Sequence, residues 1–411
     1  MVKYYSMTKY ELIRQKRQET FKRHKQMSCK VYCCKIDYSH LSKIKKNYLK
    51  RLFLEAKWLR NYLVSSEDIF KETYKHNIAT ILNKNKEKEE RTIKYLSSQM
   101  KQGILNGIKD NIKGLKSNKN KGKKVGKLKF KSRINSINLQ QKDITYRIEN
   151  DKYFRLQGFK GSFRVDGLNQ IPDNAEIANA KLLRKESGYY LSVTCFVPKE
   201  KRIKTGKDIG LDFGIKSHIT DSEGNKYKWN FQESRKSKRL QRKIGKTYKK
   251  GQKSSSNRNY RKHLNRLENE KLFYKKKDTI NKFVSNLKRN YDLICIQNES
   301  IYEWKSSKRK GWGKSIQYSI MGGIISGIKR LPQTQIVDKW EPTTQICLSC
   351  GKKTKHELSE RVFHCSCGYE EDRDINSAKV ILKISKGLRN TMPGENLTNT
   401  GEYPLGYSLA S

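Results

Sequence analysis

The chain has 411 residues and a formal net charge of +51, from 91 lysines and arginines against 40 aspartates and glutamates. Solubility does not require that excess, and a Lys/Asn/Ile bias from an AT-rich genome would not explain the scarcity of acids; with 23 tyrosines and 13 phenylalanines among the basic residues, it points to nucleic acid as the polyanionic partner. A hydrophobic content of 35% allows a real core, whereas the lack of an apolar run of about 18 residues and the polar start from Met1 to Lys25 argue against a membrane span or signal peptide, so a cytoplasmic protein is expected.

Met1 to Gln26 reads as a basic, partly helical extension, and Ser28 to Tyr38 has the β-branched and aromatic content of a strand. From Leu41 the period changes. Ile44, Tyr48, Leu52, Ala56, Leu59 and Leu63 recur every three or four residues, with Lys45, Lys46, Lys50, Arg51 and Lys57 between them, which gives an amphipathic helix with a basic face. Helix is expected to continue to about Ile112. Lys113 to Lys131, rich in lysine, glycine and asparagine, reads as a loop, either mobile and phosphate-contacting or simply solvated. Strand signals then fill Ile137 to Val197, with candidates at Ile144 to Ile148, Tyr153 to Leu156 and Ser162 to Val165, and a hairpin over Lys181 to Val197 turning at Ser187-Gly188. A small β-barrel or antiparallel sheet is the economical reading. Since one strand precedes the helices and the others follow, the helical block looks inserted into the β domain.

At Asp208 the character changes. Ile209 to Ile215 is an apolar run carrying the single carboxylate of Asp212, followed by His218 to Asp221 and a Glu223-Gly224 turn, so a hairpin with an acid inside its first strand is expected. A buried aspartate in a strand is costly unless it is paired or binds a metal. Ser234 to Asn290 is a long basic helical region whose stripe of Tyr260, Leu264, Leu267, Ile280, Val284 and Leu287 reads as core packing. Leu293 to Ile301 is a second apolar strand ending in Glu299. Gly311 to Gln317 reads as a loop, Ser319 to Lys329 as a small-residue helix able to approach its neighbours closely, Gln335 to Trp340 as a strand, Asp374 to about Lys386 as a helix, and Gly387 to Ser411 as an irregular tail.

Cys347-Leu348-Ser349-Cys350 and Cys365-Ser366-Cys367-Gly368 have the ligand type and spacing of a closed four-thiolate zinc site, although the second pair is Cys-x-Cys and its turn is tighter. His364 is an alternative ligand, less well placed than Cys365. Cys29, Cys33, Cys34, Cys195 and Cys295 show no paired spacing, which suits a reducing compartment better than a disulfide framework. Asp212, Glu299 and Asp374 lie on separate core elements, and only a folded sheet could bring them together. The chemistry that calls for such a cluster is phosphodiester hydrolysis assisted by Mg2+ or Mn2+ held on hard oxygen ligands. Asp292 and Glu303 flank the second strand and compete with Glu299 for that role. Asp372 and Asn376 read as capping or supporting groups, and Arg373 as either a phosphate contact or a salt-bridged structural residue.

Gly-Leu-Asp212-Phe-Gly-Ile, Ile-Gln-Asn-Glu299-Ser-Ile and Cys-Gly-Tyr-Glu-Glu-Asp-Arg-Asp374-Ile-Asn-Ser-Ala resemble the three motifs of the split RuvC nuclease domain of the TnpB family, transposon-encoded proteins ancestral to compact type V CRISPR effectors. The resemblance covers Asp208 to Lys386. It implies an α+β multidomain chain: an N-terminal β-barrel with an inserted helical domain, then an RNase H-like (RuvC) α/β nuclease domain containing a zinc-ribbon-like module. The expected boundaries are 1–40 for the extension and first barrel strand, 41–131 for the helical domain and Lys-rich loop, 132–206 for the rest of the barrel, 207–342 and 372–386 for the nuclease domain, 343–371 for the zinc module and 387–411 for the tail. The resemblance further implies Asp212, Glu299 and Asp374 as magnesium ligands, Cys347, Cys350, Cys365 and Cys367 as zinc ligands, and RNA-guided DNA cleavage. The expected partners are a guide RNA with a structured scaffold and a double-stranded target DNA. A guided repressor without catalysis, a compact CRISPR effector and a DNA-joining transposase are the alternatives.

Overall fold

The computed structural model describes residues 8–83, 85, 87–199, 204–248, 254–306, 312–357 and 359–387. The chain forms two compact units, residues 1–201 and 202–411. No helix among the described residues is long and apolar enough to cross a membrane.

The first unit begins with α1 (Lys9–Gln26), whose entry is fixed by a reciprocal pair: Thr8 Oγ1 accepts from the Glu11 amide while the Glu11 carboxylate accepts from the Thr8 amide. Then come β1 (Met27–Ile36), α2 (Lys43–Ser65), β2 (Ile78–Leu82), β3 (Lys88–Thr92), α3 (Ser98–Asn120), β4 (Ser136–Leu139), β5 (Tyr146–Glu149), β6 (Tyr153–Leu156), β7 (Ser162–Asp166), β8 (Glu176–Lys185) and β9 (Gly188–Pro198). The stripe of α2 is buried from Tyr48 through Leu63, and it packs in one cluster with the inward residues Ile137, Leu139, Phe154, Phe163, Leu182 and Leu191 of the strands. One antiparallel sheet holds seven strands in the order β4-β8-β9-β1-β7-β6-β5, so the segment from α2 to α3 lies in sequence between two strands of the same sheet.

Three expectations are corrected here. The sheet is a half-barrel with β4 and β5 as its edges, not a closed barrel: each edge strand spans only four residues, and β1 joins β7 only at Lys35–Asp166 and Ile36–Val165. The helical stretch to Ile112 is broken by the β2–β3 hairpin, which registers Ile78 with Thr92 and Leu82 with Lys88. Glu55 of α2, fully buried, clamps the chain leaving that hairpin by accepting the amides of Lys94 and Tyr95 at 3.0 and 2.7 Å. The lysine-rich segment is helix as far as Asn120.

The second unit contains β10 (Asp208–Phe213), β11 (Ile219–Asp221), β12 (Lys226–Tyr227), α4 (Arg235–Lys246), α5 (Ser256–Asn290), β13 (Leu293–Gln297), α6 (Ile301–Ser306), α7 (Trp312–Tyr318), α8 (Met321–Ile328), β14 (Thr334–Val337), β15 (Val362–His364), β16 (Glu370–Asp372) and α9 (Arg373–Ser385). Its main sheet runs β12-β11-β10-β13-β14; β10, β13 and β14 are parallel, and β11 and β12 are antiparallel additions on one side. Alternation divides the faces. Ile209, Leu211, Phe213, Ile294 and Ile296 pack in a cluster with Leu287 of α5 and Ile324, Ile325 and Ile328 of α8. Cys295 and Val337 face the other way and meet Ile381 of α9. Helix α8 lies close against α5, since a Cβ at Gly323 would stand 2.4 Å from Ile280 Cδ1 and one at Gly327 would stand 2.8 Å from Val284 Cγ2.

The expected loop at Gly311 to Gln317 is α7 from Trp312 onward, and the long basic region is two helices. The expected core stripe of α5 holds at Ile280, Val284 and Leu287 but not at Tyr260, which is exposed because that end of α5 pairs with α4. The tail beyond Gly387 lies outside the described residues.

Candidate functional site

Asp212 stands on β10, on the face that carries Gly210 and meets α9. A Cβ at Gly210 would come within 2.1 Å of the Ala378 carbonyl oxygen and 3.0 Å of Leu382 Cβ, so the bare glycine is what lets α9 rest directly on the strand. That close approach sets the height of α9, and with it of Asp374, above the strand. Burial pushes the Asp212 carboxyl up to about 8, the negative charges of Asp374 and Glu299 push the same way, and hydrogen bonds from the Ser377 hydroxyl and the Phe213 amide act against them. Asp221, which is buried, is a different kind of acid: it accepts from the amides of Glu223 and Asn225, from Asn225 Nδ2 and from the Tyr227 hydroxyl, and so fixes the β11–β12 turn.

Glu299 comes from the C-terminal end of β13, next to β10 in parallel register with Leu211 opposite Ile296. The strand ends at Gln297, two residues earlier than expected, and the Glu299 amide donates back to the Gln297 carbonyl at 2.9 Å in a tight turn. Burial raises the Glu299 carboxyl; a hydrogen bond from the Trp304 side chain and the charges of Lys339 and Lys329 oppose that rise, while Glu303 adds to it. Of the two competing acids, Asp292 sits at the opposite end of β13, where it accepts from the Thr205 and Gly206 amides, and Glu303 is paired with Lys339.

Asp374 lies in the first turn of α9. The helix is capped by Asp372, whose carboxylate accepts from the amides of Asp374 and Ile375 at 3.0 and 3.3 Å and pairs with Lys226 at 2.7 Å. Burial works to raise the Asp372 carboxyl, but Lys226 and those amides hold it below its ordinary value. The Arg373 guanidinium donates to the Glu357 carbonyl at 2.9 Å, a structural role.

Behind the acids runs a buried polar chain that sequence reasoning missed. Ser377 Oγ lies 3.1 Å from Thr343 Oγ1, which donates to Gln297 Oε1 at 3.1 Å. Gln297 Nε2 donates in turn to the carbonyls of Asp338, Lys339 and Glu341. The chain therefore links α9, the segment before the cysteines and the end of β13. The one signal for it in the sequence was a glutamine inside an otherwise apolar strand.

The sulfurs of Cys347, Cys350, Cys365 and Cys367 all lie within 4.8 Å of one another, with Cys347 to Cys367 at 3.7 Å and Cys350 to Cys365 at 3.5 Å. A regular tetrahedron with metal–sulfur bonds of about 2.3 Å has sulfurs roughly 3.8 Å apart, so the four thiols can hold a structural metal ion and their spacing is consistent with zinc. Each pair is followed by a glycine in the left-handed region, Gly351 at φ 76° and Gly368 at φ 85°, whose amides donate to the carbonyls of Cys347 and Cys365. Gly368 is how the shorter second pair closes its turn. The Cys367 amide helps pull the Cys365 thiol down to about 6. His364 is exposed, with its Nδ1 3.5 Å from Glu370. Asn376, fully buried, ties this module to α9: its Oδ1 accepts from the Leu348 amide at 3.2 Å and its Nδ2 donates to the Ile346 carbonyl at 2.8 Å.

Residues 331–381, which span the cysteine module and most of α9, match the family model "Cas12f1-like, TNB domain". Over that stretch the chain is similar to Cas12f1-like proteins. A Streptomyces pristinaespiralis protein that carries the assigned name RNA-guided DNA endonuclease is 23% identical over 238 residues, covering 55% of this chain and 57% of that protein. The match thus spans little more than half the length of the curated relative. Among solved structures, the Cas12f1–sgRNA–target DNA complex is 13% identical with a TM-score of 0.41 over 69% of this chain and 70% of that one. A CRISPR-Cas12f ternary complex is 15% identical with a TM-score of 0.29 over 83% and 81%.

Proposed function

We propose that the protein is an RNA-guided DNA endonuclease that hydrolyses phosphodiester bonds at Asp212, Glu299 and Asp374. The observation that carries this reading is the Asp212 carboxyl on β10, which burial chiefly, and the charges of Asp374 at the start of α9 and Glu299 after β13 in addition, raise to about 8. These three carboxylates would hold Mg2+ or Mn2+, which when bound activates water and neutralises charge at the phosphate. The chain's own residues fix the donors. Gly210 sets the approach of α9, Asp372 caps it, and Ser377 and the Phe213 amide orient the Asp212 carboxylate. Lys329 and Lys339 bring positive charge to Glu299, where a phosphate oxygen would add negative charge.

The strand order of the second unit, with three parallel strands and two antiparallel additions, supports an RNase H-like reading of 207–342 with 372–386, and 343–371 is then a zinc-bearing module within it. The half-barrel and the helical block inserted in its sequence, 1–206, would bind guide RNA and target DNA through backbone charge and duplex shape. The name of the Streptomyces relative supports a guide RNA, in which base pairing supplies the specificity.

The test is cleavage of a plasmid carrying the guide-matched sequence by protein purified with its co-expressed RNA. Asp212→Ala should abolish cutting and leave target binding intact. A fully active mutant would sink the assignment, and a wild-type protein that binds its guided target without cutting it at any magnesium concentration would make it a repressor.

A further inference from the structure

We propose that Trp340 is a stacking platform for one base of single-stranded DNA beside the acid cluster, an inference that rests on the nuclease reading of Asp212, Glu299 and Asp374. Trp340 is 82% exposed, an unusual state for the largest apolar side chain, and it is not on a floppy segment. Its amide donates to Asp338 Oδ1 at 2.8 Å, and the carbonyls of Asp338, Lys339 and Glu341 on either side all accept from Gln297 Nε2. Gln297 is itself buried and lies two residues before Glu299, so the loop that displays the indole is fixed to the strand that delivers a site acid.

The Lys339 ammonium sits 4.9 Å from the centre of the indole ring and is paired with Glu303 of α6. A cation over one face leaves the other open and favours a π-system stacked there. The same ammonium acts on the Glu299 carboxyl, which places the platform within electrostatic reach of the acids. Tyr302, next to Glu303 and 80% exposed, puts a second aromatic on the helix that this ion pair holds to the loop. An exposed aromatic on a fixed loop, with the Lys339 ammonium over its ring, on a chain of charge +51, suits a base whose phosphate neighbours are drawn to positive charge. Unpaired DNA is the occupant that fits, since a base in a duplex has both faces already covered by its neighbours. Immobility beforehand also lowers the entropy lost on binding.

Two measurements on the full-length protein test this, and they fail separately. The first is a titration of intrinsic fluorescence with oligo(dT) at low salt without added Mg2+, which needs no catalysis. Wild-type emission should be quenched, and Trp340→Phe should lose that quenching while still binding the oligonucleotide. The second is single-turnover cleavage of single-stranded DNA, in which Trp340→Ala should slow the reaction about fivefold or more and Trp340→Phe should stay near wild type. An abasic residue at one position of the substrate should reproduce the alanine defect and add nothing to it. Quenching that survives in Trp340→Phe, or an alanine variant that cleaves at the wild-type rate, overturns the platform and leaves the nuclease reading standing. Quenching that depends on Trp340 in a protein that cuts nothing keeps the platform and overturns the nuclease. Quenching by a protein partner but not by oligo(dT) would make the indole a protein contact and also overturns the proposal.

Discussion

Replacing Gly210 by alanine would set a methyl carbon 2.1 Å from the Ala378 carbonyl oxygen and 3.0 Å from Leu382 Cβ. An ordinary carbon–oxygen contact is about 3.3 Å or longer, so α9 would have to retreat by roughly 1 Å, and the obstacle is backbone, which cannot rotate aside. Overpacking of this kind costs about 1–3 kcal/mol, and in a unit of this size each kcal/mol lowers Tm by roughly 2–4 °C. The effect on the site should exceed the effect on stability. Ser377 and Asp374 ride on the displaced helix while Asp212 stays on the strand, and a misplacement of about 1 Å can reduce a rate about a hundredfold. The assay pairs a thermal melt with single-turnover cleavage, and Gly245→Ala serves as control. Gly245 lies inside α4 with nothing within 4 Å of its would-be Cβ, so alanine there should be neutral or stabilising by about 1 kcal/mol. A Gly210→Ala protein with wild-type Tm and wild-type rate would refute the claim that α9 is seated on β10 through this glycine.

The Asp212 carboxyl, raised to about 8 from 3.8, binds a proton in the metal-free folded state that the unfolded chain releases, so metal-free stability should fall as pH rises from about 4 to about 8. Asp212→Asn should flatten that part of a Tm-against-pH curve, and a curve identical to wild type would contradict the shift. The same proton competes with Mg2+, so calorimetric Mg2+ affinity should rise with pH and level off near 8, with protons released on binding. A strong zinc chelator should remove about one zinc per chain and lower the Tm, and Cys350→Ser should match the chelated protein; a metal-free preparation of unchanged Tm would dismiss a structural ion. Thr343→Val removes the hydroxyl that donates to Gln297 Oε1 and contacts Ser377 Oγ in a buried setting, which should cost about 1–3 kcal/mol in a denaturant titration; a loss below the error of that titration would show the polar chain to be unimportant.

What could be read from the sequence was whatever local pattern determines. The alternation of Ile209, Leu211 and Phe213, the short strand Tyr153 to Leu156 and the cysteine spacing all describe their own surroundings. The β2–β3 hairpin could not be read, because Lys-Glu-Glu-Arg-Thr in β3 is polar throughout and the chain beyond it is held by a distant buried carboxylate, Glu55. The run of helix into Lys119 and Asn120 was hidden for the opposite reason: lysine favours helix without needing a core, and Gly107 and Gly114 meet nothing that would mark them as breaks. Glu299 was read as the end of a strand, but the strand stops at Gln297 because that side chain turns to bind the 338–341 loop. Ser377, Thr343 and Gln297 are ordinary polar residues far apart in the chain, and only tertiary contact makes them a unit.

The position of the cysteine module explains why a metal-binding element and an acid cluster adjoin. An acid in the first turn of a helix is only as well placed as the helix itself, and α9 has its N-terminal end at the site. Three restraints act on it. Gly210 limits its height above the sheet, Asp372 and Lys226 fix its first turn to the β12 strand, and Asn376 and Lys383 bind the backbone of the first cysteine loop at Ile346 and Leu348. The last restraint is rigid only if the loop is, and a loop of so few residues gains rigidity from four thiolates on one ion more readily than from a core too small to bury. A metal held by the four thiols would therefore set the angle of α9, and with it the position of Asp374.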